Sequence, residues 1–457
     1  MEKQVKGVQV GAEMSATKSE GLRTSGRRQF LKSTLTAAGG ALVFPAIVPA
    51  SALGRDGAEA PSNRLVMGVI GVGGRGHHDL KWLVGEKDVQ MVAVCDVRKA
   101  RRDLGKETVD EKYGSKDCAT FGDFRELLEK KPEIDAVLIA SGDRWHAVAS
   151  IFCMQAGKDV YSEKPGTLTI AEGQALVNAE KKWGRIFQTG AQRASESNFV
   201  YMGEALRQGR LGKVHTVRAH LGYLTKWPRV NAVLPAEPLP PKDELDWDLW
   251  LGQCPMRPYN SAFVKPWPAP GWYTQFDFAS SIAAWGSHTI LQCQLDLGLA
   301  DTSAVDYEYP ADLIKDGMTV RFANGVKLVA QLEGWRGSCG VRYEGEEGWI
   351  ACADGYERPE VSSPKLLDDF INVIKGYRER TGRPNNHFRD FLQSVKSRKP
   401  TITSAAVAHR TMTTNLAMDI CLDLKRSVKW EPAKEAFVND DEANALRSRA
   451  MRAPWRI

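Results

Sequence analysis

The first half of the chain alternates two hydrophobic patterns. Short apolar runs predict strands, and the segments between them, whose apolar residues recur at helical spacing, predict helices. The predicted strands are 64–70, 89–96, 134–140, 159–163 and 185–189, and the predicted helices are 77–83, 121–131 and 145–156. Such alternation is typical of a parallel sheet with helices on both faces. The pattern therefore predicts a doubly wound α/β domain over residues 53–190, with a ligand site at the carboxyl ends of its strands.

The pattern changes after residue 190. Short segments typical of strands are separated by turn residues, such as Ala323-Asn324-Gly325. The predicted strands are 214–223, 318–322, 326–333 and 340–344, and helices are predicted at 388–396 and 405–425. A Pro- and Trp-rich stretch, 227–272, predicts irregular structure apart from a short helix at 246–250. We expect an α+β domain over residues 191–457 with an open, mostly antiparallel sheet, C-terminal helices and a tail that wraps the surface or contacts another copy.

The first 52 residues form a separate segment. Arg27 and Arg28 precede a mostly apolar stretch, 33–49, that ends at Ala50-Ser51-Ala52. This order is typical of a secretory signal peptide, and the paired arginines resemble a bacterial twin-arginine signal. Glycines and prolines interrupt the stretch, which is shorter than the roughly 20 apolar residues that a membrane span needs. We expect cleavage after Ala52, a periplasmic protein and no stable membrane span; a retained anchor is the alternative.

Charge and cysteine content argue against a nucleic-acid-binding protein and against a metal or cluster site. The net charge is +6, but residues 1–52 carry seven basic and three acidic residues, so the remainder carries only +2. This balance gives no argument for a nucleic-acid partner. The eight cysteines contain no Cys-x-x-Cys pair, which argues against a metal or cluster site, and several lie in apolar runs typical of a core. In an oxidising compartment, one disulfide between two of these cysteines is the alternative.

A glycine-rich turn follows the first predicted strand and opens a helix. It reads Gly71-Val72-Gly73-Gly74-Arg75-Gly76, the spacing of dinucleotide-binding (Rossmann) turns. In such a turn Gly71 permits the bend, Gly73 lets the backbone approach a pyrophosphate, and Gly76 lets helix and strand pack closely. Asp96 lies twenty residues after Gly76, at the end of the next strand, where a carboxylate bonds the ribose of NAD. The 2′-phosphate of NADP would face the like charge of Asp96, which favours NAD. The positive charge of the nearby Arg98 softens this preference, so NADP is the alternative.

Further motifs accompany this turn. They are His146, the run Ala156-Gly157-Lys158-Asp159-Val160, Glu163-Lys164-Pro165, and the segments 441–444 and 452–455. Together with the glycine turn and Asp96, they resemble the glucose-fructose oxidoreductase / inositol dehydrogenase / MocA (Gfo/Idh/MocA) family over nearly the whole chain after residue 52. In that family, Glu-Lys-Pro ends the fifth strand beside the nicotinamide, and its lysine contacts cofactor and substrate. The resemblance implies that Lys164 is catalytic. It also implies that the cofactor contacts Gly71, Gly73, Gly74, Arg75, Gly76, Asp96, Arg98, Ser141, His146, Glu163, Lys164 and Gln192.

Two segments depart from the family pattern. The loop after the fourth strand reads Ser141-Gly142-Asp143-Arg144-Trp145-His146, without the proline of the family's Thr-Pro-x-x-x-His. The helix that often carries Asp-x-x-x-His reads Ala284-Trp285-Gly286-Ser287-His288, without the aspartate. We expect His288 to be the catalytic acid or base or a ligand of a substrate hydroxyl; a core histidine is the alternative. Asp277 and Tyr273 are candidates to replace the lost carboxylate, whose absence argues against simple inositol or glucose dehydrogenation.

Substrate contacts are predicted from aromatic and polar residues. The stretch Trp267-Pro268-Ala269-Pro270-Gly271-Trp272-Tyr273 supplies flat faces on which sugar rings stack, although such loops also form oligomer contacts. Gln192 and Arg193 match a family position at the site entrance, where either can contact sugar hydroxyls; a surface role is the alternative. The predicted substrate residues are Lys164, Arg193, Tyr273, Trp285 and His288, and no metal is expected.

The predicted function is hydride transfer from a secondary alcohol of a carbohydrate or polyol to NAD. Burial and the charge of an oxidised nicotinamide are expected to push Lys164 toward the neutral amine, which can accept the hydroxyl proton. Because the twin-arginine route carries folded proteins, NAD is expected to be tightly bound and regenerated in place. The alternatives are glycoside hydrolysis or elimination through transient oxidation, and a non-catalytic protein that binds nucleotide or sugar. We expect a homo-oligomer.

Overall fold

The computed structural model describes residues 63–222, 232–266, 268, 270–280, 282–332 and 334–457. The predicted signal peptide, residues 1–52, and the predicted aromatic residue Trp267 lie outside the described residues. Within those ranges, every helix is too short or too polar to cross a lipid bilayer. All eight cysteines lie within them as buried free thiols, so they form no disulfide among themselves.

Six parallel strands form the first sheet. They are β1 (Leu65–Ile70), β2 (Val89–Cys95), β3 (Ala119–Phe121), β4 (Ala136–Ile139), β5 (Asp159–Glu163) and β6 (Phe187–Gly190). Their order is β3-β2-β1-β4-β5-β6, so the direction of winding reverses between β1 and β4. The predicted doubly wound parallel sheet is confirmed, and ligands of such sheets bind outside the carboxyl ends of the strands at this reversal.

Five helices connect these strands. They are α1 (Gly74–Leu83), α2 (Lys99–Tyr113), α3 (Phe124–Lys130), α4 (His146–Gln155) and α5 (Ile170–Trp183). Their ends follow local chemistry. The Asp123 carboxylate accepts a bond from a backbone N–H at the start of α3, and Thr169 and Glu172 form a capping box on α5. Gly114 and Gly184 end α2 and α5 with a positive φ.

Nine strands form the second sheet. They are β7 (Val214–His220), β8 (Asp306–Glu308), β9 (Met318–Arg321), β10 (Lys327–Gln331), β11 (Val341–Gly345), β12 (Gly348–Cys352), β13 (Glu360–Val361), β14 (Val428–Glu431) and β15 (Ala436–Phe437). Their order is β13-β12-β11-β7-β10-β9-β8-β14-β15. Among the described residues, β7 and β10 form the one parallel pair of this sheet. The predicted open, mostly antiparallel sheet is confirmed.

The helices of the second half cover this sheet and reach back to the first. They are α6 (Ser197–Arg207), α7 (Trp247–Leu251), α8 (Ala283–Asp296), α9 (Leu313–Asp316), α10 (Phe370–Thr381), α11 (His387–Ser397), α12 (Ala405–Leu424) and α13 (Asp441–Ala445). α7 corresponds to the short helix predicted at 246–250. Phe388 and Phe391 of α11 pack in the core beside the first sheet, where Phe388 stacks on Tyr161 at 4.6 Å.

The C-terminal tail also returns to the first domain. The indole of Trp455 is only 2% exposed and packs among Phe124, Trp145 and Phe152, with its ring centre 4.7 Å from that of Trp145. Burying an indole removes a large apolar surface from water. The tail therefore completes a hydrophobic cluster of the first domain.

Candidate active site

A cavity of about 640 Å³ lies where β1, β2, β4 and β5 end, facing the second domain. It brings together predicted cofactor and substrate residues that are distant in the sequence. The predicted residues on its wall are Gly71, Gly73, Gly74, Arg75, Asp96, Arg98, Ser141, His146, Glu163, Lys164, Gln192, Arg193, Tyr273, Trp285 and His288. Gly76 is buried beneath the turn.

The glycine turn is packed on one side and open on the other. Gly71 has a φ of +91°, and a Cβ there would lie 2.5 Å from the backbone N of Ser141. A Cβ on Gly76 would collide with the carbonyl oxygen of Gly71. At Gly73 and Gly74, by contrast, a Cβ would meet no atom within 4 Å. The turn therefore presents bare backbone at the start of α1, where no side chain caps the N–H groups and where an anion is favoured.

Asp96 lies at the end of β2 with its carboxylate toward this turn. One oxygen accepts a 2.8 Å bond from Val72 N–H, and the other accepts a 2.9 Å bond from Arg98 N–H. Each carboxylate oxygen has a second acceptor position, so the group can also accept bonds from ribose hydroxyls.

Two buried polar atoms on the cavity wall support a bound dinucleotide. Ser141 Oγ and Arg144 Nη1 have no hydrogen-bond partner in the part of the chain that the structure describes. The other guanidinium nitrogens of Arg144 donate to Trp250 O, and the group stacks on the Trp250 ring at 3.9 Å. Leaving such an atom unsatisfied costs about 1–3 kcal/mol, which a ligand that bonds to it recovers. With the bare glycines and Asp96, these groups fit NAD. Sequence reasoning missed Arg144, because its burial depends on the distant Trp250.

Lys164 lies at the centre of the cavity wall. Its Nζ donates a 2.8 Å bond to the carbonyl oxygen of Ala284 on α8, and it lies 5.7 Å from the ring centre of Trp285. Burial lowers the pKa of Lys164, but the facing Tyr273, Glu163 and Asp143 outweigh it, so the pKa is raised overall. The surrounding protein groups therefore favour the ammonium form of Lys164. The neutral amine expected from the sequence depends also on the charge of an oxidised nicotinamide and stays a prediction.

His288 follows Ala284 by one turn on α8. The residue is only 5% exposed, and its Nδ1 has no hydrogen-bond partner among the described residues. Burial, followed by the positive charges of Lys164 and Arg193, holds the pKa of His288 well below its usual 6.5. The imidazole is therefore neutral at pH 7.

Of the two candidates for the lost carboxylate, only Tyr273 lies on the cavity wall. The Tyr273 phenol is hydrogen-bonded to Lys164, and burial is the main reason that its pKa is raised. Asp277 instead forms an ion pair with Arg257 and does not line the cavity.

Asp143 is a cavity residue that sequence reasoning missed. It begins a single 3₁₀ turn, Asp143–Trp145, directly after β4, and is only 3% exposed. Burial raises its pKa to about 7, against the opposing effect of Lys164 and Arg144. Its place at the end of a parallel strand was the one signal that could have identified it.

Two buried carboxyl groups, those of Asp79 and Glu163, lie between the glycine turn and Lys164. Arg75 bridges Asp79 at 3.0 Å and Glu163 at 3.3 Å, and Gln192 donates a 2.6 Å bond to Glu163. Burial, and then the neighbouring Glu163, raise the pKa of Asp79 to about 9. One guanidinium thus serves two buried acids, and Asp79 keeps its proton at neutral pH.

Two further predicted residues are held by protein partners. The ring nitrogens of His146 lie 2.6 Å from Pro165 O and 3.1 Å from Ser141 O, so the side chain ties the loops after β4 and β5 together. His146 lines the cavity, and its contact with the cofactor stays a prediction. Arg193 makes two 2.7 Å bonds to Asp354, which fix its guanidinium at the cavity edge.

Curated relatives match about a third of the chain. A myo-inositol 2-dehydrogenase of Thermotoga maritima is 34% identical over 152 residues, covering 33% of this chain and 43% of that protein. A glycosyl hydrolase family 109 protein of Shewanella sp. (strain ANA-3) is 30% identical over 170 residues, covering 34% of this chain and 37% of that protein. The matches thus span less than half the length of these relatives.

Solved structures share the fold over both domains. The WlbA dehydrogenase of Bordetella pertussis, in complex with NADH and UDP-GlcNAcA, has a TM-score of 0.56 at 14% identity, covering 81% of this chain and 98% of that one. The myo-inositol 2-dehydrogenase of Lactobacillus plantarum has a TM-score of 0.54 at 16% identity, covering 80% and 100%.

Sequence profiles cover both domains. Residues 65–191 match the Gfo/Idh/MocA profile described as an oxidoreductase family with an NAD-binding Rossmann fold, and residues 207–457 match the family's C-terminal α/β domain. The chain therefore belongs to the Gfo/Idh/MocA oxidoreductase family, and its first domain is the NAD-binding Rossmann domain of that family.

Proposed function

We propose that the protein oxidises a secondary alcohol of a carbohydrate or polyol with NAD, and that residues 53–190 bind the cofactor while 191–457 supply much of the substrate site. The proposal rests on one observation: Lys164 and His288 line the same cavity as the open side of the glycine turn. When bound, NAD supplies the hydride acceptor.

Lys164 and His288 have different roles in this proposal. The Lys164 ammonium donates a hydrogen bond to the substrate oxygen and stabilises the negative charge that develops there as the hydrogen leaves. Neutral His288 accepts a hydrogen bond from a substrate hydroxyl and so orients the sugar. Arg75, Glu163 and Gln192 hold the strand end that carries Lys164.

The aromatic residues beside Lys164 support a sugar-like substrate. Trp272, Tyr273 and Trp285 line the cavity with Pro266. Their ring faces suit the apolar C–H face of a sugar, while the hydroxyls bond to the charged groups. Because Arg193 is already paired with Asp354, it does not supply an unpaired cation for an acidic substrate, which favours a neutral one.

The predicted signal peptide gives this activity a further constraint. We infer that the folded protein is exported by the twin-arginine route as a homo-oligomer with NAD retained. Since a periplasmic enzyme has no free NAD pool, each reduction of the cofactor must be reversed in the same site. Net turnover is then a hydride exchange between two sugars, an epimerisation, or bond cleavage through transient oxidation.

The similarity to the glycosyl hydrolase family 109 protein favours a second candidate, glycoside cleavage through transient oxidation. A ketone formed by oxidation acidifies the adjacent C–H, and loss of that proton expels the glycosidic group. Addition of water and return of the hydride then complete hydrolysis with no net oxidation.

Cofactor release and product analysis test both candidates. Purified mature protein is denatured, the supernatant is assayed for NAD(H), and native protein is incubated with sugars and glycosides. Stoichiometric NAD(H) with an oxidised and a reduced sugar supports hydride exchange, and a released aglycone without net oxidation supports cleavage. Lys164→Met should abolish either activity, whereas the surface control Lys130→Met should not. A protein without turnover on any substrate would leave only the non-catalytic alternative.

A further inference from the structure

Asp143 is an acid on the cavity wall without an assigned role. Its Oδ2 is buried and has no hydrogen-bond partner among the described residues, whereas the neighbouring Glu163 accepts bonds from Arg75 and Gln192. Lys164 and Tyr273, which also line the cavity, interact electrostatically with Asp143. A buried acceptor in a substrate cavity that lacks a protein donor is suited to a ligand donor.

The proton of an oxidised alcohol needs an acceptor, and the other groups around Lys164 are less suited to this role. The Glu163 carboxylate already accepts bonds from Arg75 and Gln192. Lys164 is held as an ammonium, and the raised pKa of Tyr273 keeps its phenol protonated. A protonated His288 would be a second cation beside Lys164, and its pKa is accordingly lowered well below 6.5. Of the two carboxyl groups that interact with Lys164, Asp143 is the one with a buried oxygen that lacks a donor among the described residues. Its pKa of about 7 leaves it partly ionised at neutral pH, and protonation makes it neutral rather than cationic.

We propose that Asp143 accepts the proton of the substrate hydroxyl that is oxidised, while Lys164 holds the same oxygen. The hydroxyl O–H bond breaks and an O–H bond forms on the Asp143 carboxylate. The adjacent C–H bond breaks with its electron pair, which leaves as hydride to the bound NAD, and the C–O bond becomes a carbonyl. In the reverse direction, the Asp143 acid returns the proton. The inference rests on the proposed function and adds its proton acceptor.

The charges that face Asp143 suit a base of this kind. Lys164 at the end of β5 and Arg144 on the same turn favour the carboxylate, whereas burial and Glu163 favour the acid. Tyr273 contributes a neutral phenol from the loop before α8. The resulting pKa of about 7 lies near the pH at which a general base works best.

The test is Asp143→Asn in the mature protein, with a sugar that the wild type oxidises. We expect the single-turnover rate of cofactor reduction to fall by about 10²- to 10⁴-fold. Affinity for NADH, measured by fluorescence titration, should stay within about twofold, and the rise of the rate with pH through about 7 should disappear. Asp143→Ala should lose activity similarly and regain part of it with added formate, which supplies an external carboxylate.

Asp296→Asn is the matched control. Asp296 is another buried acid whose pKa burial raises to about 7, but it bonds to Tyr343 and Gln292 and does not line the cavity. This variant should keep the rate and the pH profile of the wild type.

Three results would overturn the inference. They are an unchanged rate and pH profile in Asp143→Asn, a pH step that His288→Gln removes and Asp143→Asn keeps, and a normal rate at saturating NAD with at least tenfold weaker NADH binding. A wild type that oxidises no alcohol would overturn the proposed function itself. If the wild type is active and one of these three results is found, the inference fails while the proposed function stands.

Discussion

The open side of the glycine turn leads to a sharp prediction for Gly73→Ala. Gly73 has a φ of −68°, which alanine adopts freely, and its added Cβ would meet no protein atom within 4 Å. The substitution should therefore raise the free energy of unfolding without ligand by about 0.4–1 kcal/mol, because alanine restricts the unfolded chain. The same Cβ would occupy the space through which the diphosphate approaches. We expect NADH to bind at least tenfold more weakly, which corresponds to about 1.4 kcal/mol.

Two other glycines separate these effects. Gly376→Ala, within α10, also places its Cβ in open space and should stabilise the helix by about 1 kcal/mol without changing NADH affinity. Gly71→Ala adds a Cβ at positive φ beside Ser141 and should destabilise the protein. Urea unfolding of the cofactor-free protein and fluorescence titration with NADH measure both quantities. A Gly73→Ala variant that binds NADH like the wild type would refute the assignment of this surface to the diphosphate.

Three further predictions concern packing and charge. Gly222 has a φ of +68°, and Gly222→Ala would place a Cβ against the indole of Trp285. The variant should raise KM for the sugar, measured by steady-state kinetics, more than Kd for NADH, measured by titration. Equal effects on both constants would contradict this prediction. Trp455→Ala should cost about 3–5 kcal/mol in urea unfolding, because it empties a buried aromatic cluster; a loss below 1 kcal/mol would contradict that packing. Arg389 and Lys396 lower the pKa of Asp88 to about 2, against the effect of burial. Because this folded pKa lies below the unfolded 3.8, the contact stabilises above pH 4 and is lost as the pH falls toward 2. Asp88→Asn should therefore cost about 1 kcal/mol at pH 6, allowing for solvent screening, and nothing near pH 2; a loss independent of pH would contradict it.

The elements that could be predicted best from sequence are those rich in apolar residues along their length. β1, β2 and β4 of the first sheet are mostly apolar, and α12 follows its predicted bounds closely. Helix α2 was not predicted, because only Gly105 and Val109 of its fifteen residues are buried, so it has no apolar stripe. Its position is fixed by the strands on either side, which a local pattern does not contain.

Prediction of the site from sequence was limited in the same way. Lys164 and His288 were named from motifs, but the charge state of Lys164 depends on Tyr273 and Asp143, which reach it from other parts of the fold. Similarly, Arg193 is fixed by Asp354, 161 residues later in the chain. A motif identifies a side chain, whereas its protonation and its partners are properties of the folded structure.

The packing of Trp455 also bears on engineering. The first domain matches a family profile of its own over residues 65–191, which suggests an interchangeable cassette. Yet the hydrophobic cluster of that cassette takes an indole from the opposite end of the polypeptide. A chimera that grafts a foreign second half onto residues 63–190 would leave a hole the size of a tryptophan ring unless the graft carries a substitute.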